Sequence, residues 1–172
     1  SDYREAVTAY AGQFGADPAG VRVAVDCGTG MASVATPQVL RALGADVVAL
    51  NAQVDGHFPA RESKPTAETL TDLRAFVRDG EFDFGIGHDG DADRIVIVDS
   101  AGEVVHEDTV LAVVAGRYVR ESEAADPVVV TTLNASARIA EHIRDSGGSM
   151  VQLSLGATTL MESTDRTGWG VR

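Results

Sequence analysis

Six consecutive residues, Asp89-Gly90-Asp91-Ala92-Asp93-Arg94, constrain this chain more than any other segment. Three carboxylates stand at alternate positions, with only glycine and alanine between them and an arginine directly after. Apolar runs border the six, Phe82-Asp83-Phe84-Gly85-Ile86-Gly87 before and Ile95-Val96-Ile97-Val98 after. Such runs read as buried strands. Unpaired charges cannot enter a sheet core, so the six must form a loop at a strand end. Like charges this close repel unless a cation sits among them, and carboxylates with small spacers are how a short loop grips a hard divalent ion. Asp89, Asp91 and Asp93 are therefore candidate Mg²⁺ ligands, and Arg94 sets beside them a guanidinium suited to phosphate. The plain alternative is a solvated acidic turn. An EF-hand is excluded: it needs glycine at its sixth position and glutamate at its twelfth, where this chain has Arg94 and Ser100.

Hydrophobic period and turn residues divide the rest of the chain. Helices are expected over 3–14, 31–43, 66–78, 108–120 and 135–145, and strands over 21–26, 46–50, 82–86, 95–99, 128–132 and 150–153. Gly44 reads as the left-handed cap of the second helix, residues 51–65 as a long connection, and residues 100–103 as a hairpin turn. Strands alternating with helices predict an α/β fold of βαβ units, with mixed, mainly parallel sheets and flanking helices. Ligands in such folds collect beyond the carboxyl ends of the strands, where the aspartate loop lies. A second unit is expected to begin between Asp99 and Glu107, and its two strands leave a thin sheet with exposed edges.

Composition narrows the partners. The 172 residues carry 26 acidic and 14 basic side chains, a formal net charge of −12. Such a field opposes nucleic acid and anionic membrane. Lys64 is the one lysine, and arginine supplies the other basic residues. An acidic, lysine-poor surface predicts adaptation to high salt, where charges are screened within about 3 Å at 1 M. The single cysteine, Cys27, leaves no intrachain disulfide and fits a reducing cytosol. No apolar run reaches the roughly 18 residues of a membrane span, and the first residues, Ser1-Asp2-Tyr3-Arg4-Glu5, show no signal-peptide pattern. A cytoplasmic location is the expectation.

The segment Gly87-His88-Asp89-Gly90-Asp91-Ala92-Asp93-Arg94 resembles the metal-binding loop of the α-D-phosphohexomutases, the phosphomannomutase/phosphoglucomutase family. Val23-Ala24-Val25-Asp26-Cys27-Gly28-Thr29-Gly30 resembles the first strand and turn of that family's second domain. Phe58-Pro59-Ala60-Arg61, Pro65-Thr66 and Glu68-Thr69-Leu70 resemble its extended crossover, and Gly102-Glu103 through Asp108 the passage into its third domain. The resemblance covers nearly the whole chain. It implies a second domain over 1–100 and part of a third over 101–172. It implies an enzyme that moves phosphate between C1 and C6 of a hexose (glucose, mannose or glucosamine) through a phosphoserine, with Mg²⁺ on Asp89, Asp91 and Asp93. Arg94 is the candidate catalytic residue, next to the phosphoryl group or the sugar; an ion pair with one of the aspartates is an equal reading.

The chain also departs from the family. No segment resembles the phosphoserine loop Thr/Ser-Ala-Ser-His-Asn-Pro or the sugar loop Gly-Glu-x-Ser-Gly-His, and no fourth domain is found. Ser63-Lys64-Pro65 stands where Pro-Glu-Pro is usual, and Ala157 follows Gly156 where histidine or aspartate is common. The phosphoserine domain is therefore expected as a partner, and the chain alone is expected to show no mutase activity.

The other polar residues carry less. His88 reads as a packing or hydrogen-bonding residue, since hard Mg²⁺ prefers oxygen. His57, His106 and His142 lack metal-ligand spacing, and Ser33, Ser136 and Ser154 have no evident histidine partner. Residues 131–136 read as helix capping, with a sugar-phosphate contact as the minor alternative. Gly28-x-Gly30-x-x-Ser33 approaches a dinucleotide fingerprint, but serine replaces the third glycine and no acidic residue ends the second strand, where Asn51 stands. Quenching of Trp169 by NAD would revive that reading. The competing function is a non-catalytic, metal-dependent assembly module whose exposed sheet edges form a homodimer or dock onto a separate polypeptide carrying the serine domain.

Overall fold

The computed structural model describes residues 2–15 and 17–153. Gly156, Ala157, Ser154 and Trp169 lie outside them. Two compact units divide at Val105 and His106.

The first unit opens with helix α1, Asp2–Gly12. Strand β1, Arg22–Asp26, leads through a tight turn into a short 3₁₀ segment, Met31–Val34, and helix α2, Thr36–Ala42. The expected single helix over 31–43 is thus broken. Pro37 sits in the first turn of α2 and has no N–H to extend the preceding turn, and Ala35 leaves helical geometry at φ −135°. Gly44 takes the left-handed conformation at φ +108°, and strand β2, Asp46–Leu50, follows. After the long connection, helix α3 spans Thr71–Asp79. It starts five residues later than expected because Thr hydroxyls compete for backbone groups. Thr69 Oγ1 accepts from the Thr66 N–H at 2.8 Å and donates to the Lys64 carbonyl at 2.8 Å.

Strand β3, Phe84–His88, lies two residues beyond its expected position. Phe82 packs beside α3 instead: its ring lies 5.1 Å from that of Phe76, and the Arg22 guanidinium carbon stands 4.7 Å from its centroid. Strand β4, Ile95–Asp99, and the two-residue strand β5, Val104–Val105, complete the unit. β5 pairs antiparallel with β4 across residues 100–103, the expected hairpin turn, although its two residues carry no period of their own.

The sheet runs β2-β1-β3-β4-β5. β1 pairs parallel with β2 and β3, while β3–β4 and β4–β5 are antiparallel. Helices cover both faces. Val23, Val25, Cys27, Val47 and Ile86 pack with Ala32 and Leu40 on one side. Ala24, Val98 and Phe82 pack with Leu70, Leu73 and Val77 of the α3 region on the other. Gly85 and Gly87 let α3 approach closely: a Cβ there would stand 2.7 Å from Val77 and Leu70 methyls respectively. This is the expected α/β fold of mixed, mainly parallel sheets with flanking helices.

The second unit contains helix α4, Glu107–Glu121, strand β6, Val128–Thr132, helix α5, Ala137–Asp145, and strand β7, Ser149–Leu153. β6 and β7 pair in parallel. Ala115, Val119, Ile139 and Ile143 form its core. Ser136 caps α5 by accepting from the Arg138 N–H, and Thr132 donates to Asn134. Residues 131–136 thus include a helix cap, and His106 caps α4 in the same manner, accepting from the Asp108 N–H.

Candidate metal centre

The aspartate loop joins β3 to the antiparallel β4, at the carboxyl end of a strand that is parallel to β1. The turn after β1 therefore opens at the same end of the sheet. Both strands are buried up to their last residues, so the chain leaves the sheet with Asp26 and Asp89 still inside. The structure brings one carboxylate oxygen each of Asp89, Asp91 and Asp93 within 4.8 Å of one another. Asp89 is 2 % exposed, whereas Asp91 and Asp93 face solvent. Ala92 takes a positive φ of 65°, which turns the chain so that alternate carboxylates converge.

Arg94 pairs with Asp89. Its backbone N–H donates to Oδ1 at 3.1 Å, and its Nε donates to Oδ2 at 2.7 Å. Asp93 Oδ1 lies 3.4 Å from the same Nε. The Arg94 side chain nevertheless remains 60 % exposed. Burial pushes the Asp89 carboxyl upward, but the two hydrogen bonds from Arg94, a third from Asp93 and the Arg94 charge together hold the group below the usual carboxylate range. Asp93 is pushed up, first by its hydrogen bond to Asp89 and next by the charge of Asp91. A carboxylate offers about four lone-pair positions, so Asp89 can serve Arg94 and still present oxygen to an ion. Three carboxylates in a water-accessible cluster form an all-oxygen donor set, which suits a hard divalent cation.

A second cluster lies beneath the loop, and the sequence did not single it out as one. Asp26, at the end of β1, is 2 % exposed, and the Arg61 side chain from the long connection is 6 % exposed. Arg61 Nε donates to Asp26 Oδ2 at 2.8 Å. The other Asp26 oxygen accepts from the Gly28 N–H at 2.8 Å and from Asn51 Nδ2 at 3.1 Å. Arg61 also donates to the His88 carbonyl at 2.5 Å. Phe58 lies over the loop itself, where a Cβ on Gly90 would stand 2.7 Å from its ring. An aspartate closing an apolar strand was the available signal. Its partner lies 35 residues away, which no local pattern reports.

Gly30 packs against the loop. A Cβ at Gly30 would stand 2.5 Å from the Gly90 carbonyl oxygen. Thr29 and Asn51, both at positive φ, join the turn to the connection through a 2.9 Å backbone hydrogen bond from the Thr29 N–H to the Asn51 carbonyl. His88 is buried, and its ring nitrogens have no hydrogen-bond partner among the described residues. Burial pushes its pKa down, which keeps the ring neutral. Cys27 is also buried, and its thiol is pushed up to about 11, chiefly by that burial. It is a packed thiol and not a poised nucleophile. No helix among the described residues is long and apolar enough to cross a membrane.

Comparison with known proteins gives the family. Residues 1–102 match the family model described as phosphoglucomutase/phosphomannomutase, alpha/beta/alpha domain II. The chain is 38 % identical over 155 residues to a phosphopentomutase of Thermococcus kodakarensis, covering 90 % of this chain and 33 % of that protein. It is 41 % identical over 149 residues to a phosphoglucosamine mutase of Frankia alni, covering 87 % and 32 %. The fold resembles a phosphoglucomutase/phosphomannomutase family protein from Burkholderia thailandensis, with a TM-score of 0.79 at 24 % identity over 94 % of this chain and 36 % of that one. The chain thus spans about a third of the length of the curated relatives it matches. With more than half of its residues matched by the family model, the chain belongs to the phosphoglucomutase/phosphomannomutase family, the α-D-phosphohexomutases.

Proposed function

We propose that this chain supplies the metal-holding domain of a phosphohexomutase that interconverts hexose 1-phosphate and hexose 6-phosphate. The sugar is glucose, mannose or glucosamine, and the phosphoryl group passes through a phosphoserine on a segment not found in these 172 residues. The convergence of the Asp89, Asp91 and Asp93 carboxylates within 4.8 Å carries the reading. These three residues would hold Mg²⁺, which neutralises charge on phosphoryl oxygens during transfer.

This chain's own residues do the rest of the local work. Asp89 is held ionised by Arg94, so the most buried ligand keeps its charge without a metal. Arg94 is anchored at Nε yet mostly exposed, so its guanidinium edge is available to a phosphoryl or sugar oxygen. The ion pair with Asp89 and a phosphoryl contact are compatible, since the pair fixes the side chain at Nε and 60 % of it stays exposed.

Calorimetric titration of Mg²⁺ into the wild type and Asp91→Asn tests the proposal. Asp91 is exposed, so the substitution removes a ligand without disturbing the core. Binding by the wild type that the variant loses is the expected result. Equal binding by both sinks the assignment of the ligands. If neither binds, the same titration with a phosphoserine peptide present must restore the difference, or the metal reading fails.

A further inference from the structure

We infer that Arg61 is a positioning residue for the aspartate loop, setting its metal affinity without being a ligand. The inference rests on the proposed metal-binding role of Asp89, Asp91 and Asp93. The hydrogen bonds of the Arg61 guanidinium go to none of those three carboxylates. They reach instead the Asp26 carboxylate at 2.8 Å, the His88 carbonyl at 2.5 Å, and the Glu62 and Ser63 carbonyls at 2.9 and 3.4 Å. Three stretches of chain thus meet on one planar group: the end of β1, the long connection and the end of β3.

The His88 carbonyl matters most. It belongs to the planar peptide that leads into Asp89, so fixing that oxygen fixes the plane from which Asp89 departs. Asp26, held by Arg61, also accepts from the Gly28 N–H and so orients the turn that lies against Gly90. Room for the guanidinium is built in. Gly28 has a φ of +54°, and a Cβ there would stand 2.7 Å from an Arg61 nitrogen. Lysine cannot replace this arrangement, since one ammonium lacks the fork that spans the acceptors. Partners behind a metal site typically change affinity about 10- to 100-fold when removed.

The test compares wild type, Arg61→Met, Arg61→Lys and Leu73→Ala. Leu73→Ala weakens the opposite face of the sheet and leaves the loop alone. Circular dichroism and urea midpoints establish that each variant is folded and how far each is destabilised. Mg²⁺ affinity is then measured by calorimetry, and exchange of the Met31 amide, which donates to the Gly90 carbonyl, by NMR. Expected are a loss of about 10- to 100-fold in affinity for both Arg61 variants, faster Met31 exchange, and wild-type affinity in Leu73→Ala. Wild-type affinity in Arg61→Lys, or an equal loss in Leu73→Ala, overturns the inference. If Arg61→Met does not fold, Arg61→Lys decides alone. Absence of Mg²⁺ binding in the wild type, with the phosphoserine peptide present as well, counts against the metal reading only. Met31 exchange then decides: unchanged protection in the Arg61 variants overturns the positioning role, and faster exchange than in Leu73→Ala supports it.

Discussion

The Met31 N–H donates to the Gly90 carbonyl at 2.9 Å, so the turn after β1 and the aspartate loop share a backbone hydrogen bond although 59 positions separate them. Gly30 makes that approach feasible. Gly30→Ala would force its Cβ against a backbone oxygen that has no flexible end to yield. Overpacking of this kind costs about 1–3 kcal/mol. A lowered urea midpoint, with weaker Mg²⁺ binding, is expected; an unchanged midpoint would show that the turn can move away freely.

The two ion pairs at opposite ends of β1 should differ sharply. Asp26→Ala leaves the Arg61 guanidinium buried without its counter-charge, which costs about 3–5 kcal/mol. Asp46→Ala removes the partner of Arg22 from a pair open to water on both sides, where about 1 kcal/mol or less is expected. Urea denaturation of the two variants checks the contrast, and comparable losses would contradict it.

Cys27 links stability to alkaline pH. Its thiol is raised from an ordinary value of 9.0 to about 11, mainly by burial. The folded state therefore holds this proton more tightly than the unfolded state does. The contribution is complete below pH 9 and disappears as pH climbs through about 11. The shift corresponds to roughly 2–3 kcal/mol. Urea midpoints of wild type and Cys27→Ala, followed across that window, should show a decline present only in the wild type. Iodoacetamide at pH 8 should label the thiol slowly in buffer and rapidly in urea.

The net charge of −12 predicts that salt stabilises the fold. Repulsion among the surface carboxylates acts against the compact state, and screening at about 1 M salt shortens its reach to about 3 Å. The thermal midpoint is expected to rise steadily with KCl. A midpoint that is flat or falling across that range would sink the proposed halophilic adaptation.

Much of this architecture was legible locally. The strands at 46–50, 95–99 and 128–132 carry their own apolar runs and stand where the sequence places them. The aspartate loop was legible for a different reason: three charges between two apolar runs have only one place to go. The misplacements were local competitions. Pro37 broke a helix that periodicity alone would continue, Thr66 and Thr69 delayed another, and Phe82 left the sheet to pack beside α3.

By itself, then, the sequence determined the α/β class and the residues that carry the candidate metal chemistry, because hydrophobic period and charge crowding act over a few neighbouring residues. Only the tertiary structure decided the strand order β2-β1-β3-β4-β5 and the junction of Asp26, Arg61 and the His88 carbonyl beneath the loop. That junction depends on directions in space. A guanidinium finds its acceptors where strands end side by side, and no period along the chain encodes which strands those will be.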